Sequence, residues 1–172
     1  MNIREILHDS GKLTADHAAN IALQKPEIIP LLIELAFENE YQFSMRAARV
    51  VELIDSICPE MVQPSYLRII EALPHLKEEG VKRCFLKLLT RHTDIENEVA
   101  LCTLLNFCFD ALGNPNDEVS VRVYAMEIIY LISLKEPDLQ NELVSLIKAH
   151  WNEASAGFKA RGSWIISACE KS

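Results

Sequence analysis

Two apolar stripes recur down this chain at one shared interval, and nothing else limits its fold as strongly. In QFSMRAARVVELIDSI, residues 42–57, apolar side chains fall at Phe43, Ala47, Val50, Ile54 and Ile57. Steps of three and four line one face of an amphipathic helix. Phe43 is matched by Val81, Val119 and Phe158, at steps of 38, 38 and 39 residues. Ala47 is matched in the same way by Phe85, Val123 and Gly162, and Val50 by Leu88, Met126 and Ile165. The helix preceding each of these keeps the same offsets. Ile29 is followed by Leu67, Leu105 and Val144; Leu32 by Ile70, Cys108 and Ile147; Ala36 by Pro74, Leu112 and Trp151. One stripe can align by chance. Two stripes locked together predict helical hairpins stacked so that each buries its apolar face on the next. On that reading Leu105 is a core position, and Leu105→Ala costs about 2–5 kcal/mol.

Composition agrees. The chain has 172 residues, enough for one domain with a real core, and is 49% hydrophobic with only five Gly and seven Pro. The longest apolar runs are cut by charge or proline well short of a membrane span. Met1–Ile6 leads into no apolar segment of the signal-peptide kind, so the expectation is a cytoplasmic protein with no membrane association. Five cysteines (Cys58, Cys84, Cys102, Cys108 and Cys169) form an odd set without CxxC spacing, which argues against a disulfide framework. They read mainly as small core hydrophobes. The formal net charge of −8 disfavours a general nucleic-acid binder or an anionic membrane surface.

In chain order, residues 1–24 fall outside the 38-residue register and read as an N-terminal cap over an otherwise open apolar face. Ile3–His8 forms a short helix, and Thr14 caps a second one running through Leu23. Pro26 opens the next helix. Residues 26–172 carry four repeats. Thr93-Asp94 starts a long helix through Leu112, Gly113-Asn114-Pro115-Asn116 is a turn, and Glu136-Pro137-Asp138 starts another helix. Gly80 is out of place in the start of its helix. Asn39 and Glu40, Glu78 and Glu79, Asn116 and Asp117, and Asn152 and Glu153 stand where side-chain oxygens would cap each second helix. In the last helix Trp164, Ile165, Ala168 and Cys169 are expected to face inward. The whole is one domain of about ten helices.

Each second helix also carries an arginine near its start: Arg46, Arg122 and Arg161, with Arg83 one residue early in the second repeat, where Cys84 takes the register position. Asp117, Val121-Arg122 and Ala125 stand at the spacing of the D-x-x-V-R-x-x-A pattern of HEAT-repeat second helices. The chain therefore resembles the HEAT/armadillo-like family over residues 26–172, the third repeat matching best. The second departs at the arginine, and the fourth has Gly162-Ser163-Trp164 where alanines are common. The resemblance implies an all-α, right-handed α-α superhelix of four to five helix pairs with an N-terminal capping pair. It also implies a concave face lined by second helices, and a protein or peptide as ligand.

The candidate site is a basic ladder: Arg46, Arg49, Lys82, Arg83, Lys87, Arg91, Arg122, Lys159 and Arg161. Such a strip suits an acidic peptide or a phosphate backbone. The competing reading pairs these side chains with Glu52, Asp55 and Asp117 between repeats. The histidines (His8, His17, His75, His92 and His150) lack HxxxH or HExxH spacing, so no metal is expected. No GxSxG, Walker or GxGxxG motif is present, so no cofactor is expected either. Trp151 and Trp164 lie on stripes read as inward. The expected function is a non-enzymatic protein-interaction or scaffold module, with self-association as one form of it. The alternative is a nucleic-acid-binding protein similar to the DNA glycosylases built on this fold; Asp55 is the only aspartate in the body of a second helix, and Tyr124 and Tyr130 are the main aromatics there. A lyase reading fails because the S-x-x-M-P-x-K-x-N loop of the fumarase/adenylosuccinate lyase superfamily is missing and the chain is far too short for that fold.

Overall fold

A computed structural model describes residues 2–171. Among them the chain is helical throughout, with no strand. The α-helices are α1 (Ile3–Ile6), α2 (Lys12–Gln24), α3 (Ile28–Phe37), α4 (Phe43–Ile57), α5 (Tyr66–Ala72), α6 (Glu79–Leu89), α7 (Glu98–Gly113), α8 (Val119–Ser133), α9 (Leu139–Ala149) and α10 (Ala156–Cys169). Short 3-10 turns flank α5. The chain packs as two compact units, Met1–Leu88 and Leu89–Ser172.

In the first unit α4 packs against both α2 and α3. Its buried set (Ser44, Ala47, Ala48, Val50, Val51, Glu52, Ile54 and Asp55) covers more than one face. That breadth follows from α6 lying against it as well. A Cβ on Gly80 would stand 2.6 Å from Met45 Cγ, so the glycine that looked misplaced in the sequence lets α6 approach α4. Phe85 meets Phe37 edge-on at 5.9 Å. In the second unit α8 is the central helix and touches α7, α9 and α10. There a Cβ on Gly162 would lie 2.9 Å from Ile147 Cγ2, which explains why glycine replaces the usual alanine.

The shared register holds best on two lines. Leu32, Ile70, Cys108 and Ile147 are all buried, and so are Val50, Leu88, Met126 and Ile165. Other lines need correction. Leu67, Val119 and Ile57 are exposed, and Leu105, Val123, Val144 and Phe43 are half-buried. On α7 the core is Ala100, Leu104, Cys108, Ala111 and Leu112, so Leu104, not Leu105, fills the inward place. Trp164 is 52% exposed. Phe158, Gly162 and Ile165 are the inward residues of α10, and Trp164, two residues past Gly162, points about 200° away from it.

Helix starts also differ from expectation. The helix expected at Thr93-Asp94 begins at Glu98, because the Asn97 side chain accepts from Ala100 N–H. Thr14 lies inside α2, where its hydroxyl donates to Asp9, whose other oxygen accepts from Gly11 N–H. The acidic and amide residues before α4, α8 and α10 do not cap them as expected. Neither α4 nor α8 has a side-chain cap, and α10 is capped by Ser155. Asn39 instead accepts from Lys77 N–H at 2.7 Å and so ties one hairpin to the next. Before α4 the chain makes a three-residue turn. Gln42 sits at φ 69° and ψ −48°, and Phe43 N–H donates to Tyr41 O, a strained backbone state for a residue with a side chain.

Candidate functional site

Arg46, Arg49 and Arg122 are positioned by the first two turns of their second helices, which run beside the ends of other helices. Those ends leave backbone carbonyls without intrahelical partners and carry partial negative charge. In the first unit Arg46 Nη1 donates to Leu7 O at 3.0 Å and His8 O at 3.1 Å, just past α1, while Nη2 donates to Gln42. Arg49 Nη1 donates to Ser10 O at 2.7 Å. In the second unit Arg122 is 7% exposed. Its Nε and Nη2 both donate to Leu112 O in the last turn of α7, and its guanidinium lies 4.6 Å from the centre of the Phe158 ring. Burial pushes its pKa down from the ordinary value, and the Asp117 carboxylate opposes that shift. These arginines are therefore anchored on main-chain carbonyls rather than paired in the simple acid–base fashion the sequence suggested.

The remaining cations divide by unit. On the face of α4 and α6, Lys87 Nζ lies 3.2 Å from Glu52, a carboxylate that is almost wholly buried although Lys87 is half exposed. Cys84 sits among the same groups. Burial pushes its thiol up to about 11, with Arg83 lowering it, Glu52 raising it and Arg49 lowering it, in that order of strength. Lys87 thus pairs with an inward carboxylate, and Arg49 and Arg83 lie near enough to Cys84 for their charge to act on its thiol. Lys82 pairs with Glu79 one turn before it. Asp55 is buried and accepts from the Tyr66 hydroxyl. In Leu89–Ser172, Arg91 is exposed, Lys159 is half-buried, and Arg161 lies 3.5 Å from Glu127.

Sequence reasoning missed one feature of that second unit. Tyr130 and Trp164 meet edge-to-face at 5.1 Å on the outer side of α8 and α10, and Arg161 lies 5.7 Å from the Trp164 ring. Near the starts of the same two helices, Glu118, Val119, Ser120, Val123, Tyr124 and Gly157 line an open groove of about 500 Å³. The helical phase of α10 carried the signal: steps of four and three from Phe158 to Gly162 and Ile165 leave Trp164 off the inward line.

Among the described residues, no group of His, Cys, Asp and Glu is arranged to hold a metal ion, and no helix is long and apolar enough to cross a membrane. All five cysteines are free thiols. A family model described as a HEAT repeat domain matches residues 5–168. No curated protein and no solved structure matches the chain.

Proposed function

The chain belongs to the HEAT repeat domain family, whose members generally mediate protein–protein interaction or scaffolding, and from that premise we propose that it is a non-enzymatic module that binds an acidic protein segment on the α4/α6 face of its first unit. The observation that carries this reading is a set of three cations on that face, Lys87 against Glu52 with Arg49 and Arg83 near Cys84. Cations grouped on one face favour carboxylate-rich ligands, for which arginine offers a bidentate fork. Of the other ladder residues, Arg46 and Arg122 hold the fold through their carbonyl contacts, and Lys82, Arg91, Lys159 and Arg161 are secondary contributors to partner contact.

The test is fluorescence anisotropy with a labelled Glu/Asp-rich peptide and, in parallel, labelled duplex DNA. The peptide should bind in a salt-dependent way, and Arg83→Glu with Lys87→Glu should weaken it by on the order of tenfold or more. Peptide affinity that survives the double substitution removes the α4/α6 face from the proposal. Tighter binding of the duplex than of the peptide replaces the reading with a nucleic-acid one.

A further inference from the structure

Residues 2–10, which are α1 and the turn after it, are tied to the first unit as a strap by three kinds of contact. The apolar one is small: Leu7 is 1% exposed, whereas α1 has no buried residue. The second is ionic. Arg4 pairs with Glu38 and Glu40, and all three side chains are about half exposed. Pairs of that kind contribute little and are screened by salt. The third is made to α4: the carbonyls of Leu7 and His8 accept from Arg46, and the carbonyl of Ser10 accepts from Arg49.

The strap thus offers α4 the groups an acidic segment would bring. Its main-chain oxygens occupy two arginines, and Asp9 shares a crevice with Arg46 and Arg49. Bonds from Gly11 N–H and the Thr14 hydroxyl hold the Asp9 carboxyl below the usual carboxylate range, and Arg46 adds to that effect more weakly. The closed arrangement leaves one donor unserved. Arg46 Nε is the one enclosed side-chain nitrogen or oxygen without a hydrogen-bond partner among the described residues. An enclosed donor left idle is destabilising. The Leu7 and His8 carbonyls both fall on Nη1, whereas a carboxylate can meet Nε and an Nη together as a fork.

We propose that this strap is an autoinhibitory pseudo-ligand: an acidic protein segment displaces residues 2–10 and takes over Arg46 and Arg49, which then act with Arg83 and Lys87. The inference rests on the function proposed above and adds the regulation of that same site. With the strap closed, apparent affinity is lowered by the fraction of molecules that are open. The sign of one substitution separates this device from simple electrostatics. Loss of a cation weakens an acidic ligand on charge alone. Arg4 holds the strap shut, so its loss tightens binding instead.

The experiment measures the labelled Glu/Asp-rich peptide by anisotropy on the full chain carrying Arg4→Ala, Leu7→Ser or Arg68→Ala. The last is a control that breaks another exposed pair of the same unit, Arg68 with Glu34. Arg4→Ala should tighten binding a few-fold and Leu7→Ser by on the order of tenfold, while Arg68→Ala leaves it unchanged or slightly weaker. Saturating peptide should also speed hydrogen exchange of the backbone amides of residues 2–10 in the parent chain. Far-UV circular dichroism checks helix content; if Leu7→Ser loses it, Arg4→Ala and the exchange measurement decide. Peptide that binds the parent chain, but no tighter with Arg4→Ala, overturns the strap and leaves the α4/α6 face standing. So does tightening by Arg68→Ala of the same size, or strap amides that saturating peptide fails to speed. No binding by the parent chain or by either strap variant removes the α4/α6 face itself, and the strap with it. Binding by the strap variants alone supports both.

Discussion

Replacing Arg122 tests whether the arginine of the second helix acts as a structural anchor. Three effects set the size of the change. Its Nε and Nη2 donate to one carbonyl, Leu112 O, and a hydrogen bond involving a charged group contributes about 1.5–3 kcal/mol. Because both donors share an acceptor, they count as one strong bond rather than two. The stack on Phe158 at 4.6 Å adds about 1–2 kcal/mol in a desolvated setting. Opposing these, burial of the guanidinium costs part of that gain, consistent with its lowered pKa. The net for Arg122→Ala is a loss of about 3 kcal/mol. Arg122→Met keeps the stem and loses the charge, for about 2 kcal/mol, and Arg122→Lys keeps the charge and loses the fork, for about 1 kcal/mol. The assay is urea unfolding followed by tryptophan fluorescence. Trp151 and Trp164 are the only tryptophans, and both lie in Leu89–Ser172, so the signal reports the unit that contains Arg122. With a slope near 2 kcal/mol per molar, the alanine variant should unfold at about 1.5 M lower urea. If Arg122→Met proves as stable as the parent chain or more so, desolvation outweighs the carbonyl bond and the anchoring role is wrong.

Further outcomes follow from burial and close contacts. Leu104→Ala should cost about 2–5 kcal/mol in the same assay, and Leu105→Ala less than half as much, since only Leu104 is fully enclosed. Equal losses would mean that α7 is rotated from its described phase. Gly162→Ala should lower the thermal midpoint despite alanine's better helix propensity. The new methyl would stand 2.9 Å from Ile147 Cγ2 and 3.2 Å from the Trp151 ring, and overpacking of about 1–3 kcal/mol exceeds the gain of about 1 kcal/mol. Thiol labelling at pH 8 should modify exposed Cys102 first, while Cys84 and Cys108 react only on unfolding; fast labelling of either would contradict their enclosure. The Cys84 thiol is raised from 9.0 to about 11, so the unfolded chain releases this proton first. Its contribution to stability is complete below pH 9 and lost as pH rises to 11. Cys84→Ser should flatten that part of a stability-versus-pH curve.

What could be read from residues alone follows from which forces are local. The lines through Leu32 and Val50 were legible because helical periodicity and a constant repeat length act along the chain, and burial on both helices obeys them. Trp164 and Leu105 were misplaced because a stripe read at steps of three or four tolerates an error of one residue, and one residue turns a side chain by about 100°. The partners of Arg46, Arg49 and Arg122 were not legible at all, since they include main-chain carbonyls whose availability depends on where another helix stops. Leu112 O is open to Arg122 because α7 ends at Gly113, and Leu7 O is open to Arg46 because α1 ends at Ile6. A second helix that starts beside such an end needs a long side chain with several fixed donors in its first turn, and arginine meets that need where lysine, a single point charge, does not. The D-x-x-V-R-x-x-A pattern can therefore be explained by helix-end chemistry without any ligand. It follows that Arg46 and Arg122, held on such helix ends, are less available to a partner. On the proposed function, Lys87, in the last turn of α6, is the kind of ladder residue that would meet a partner instead.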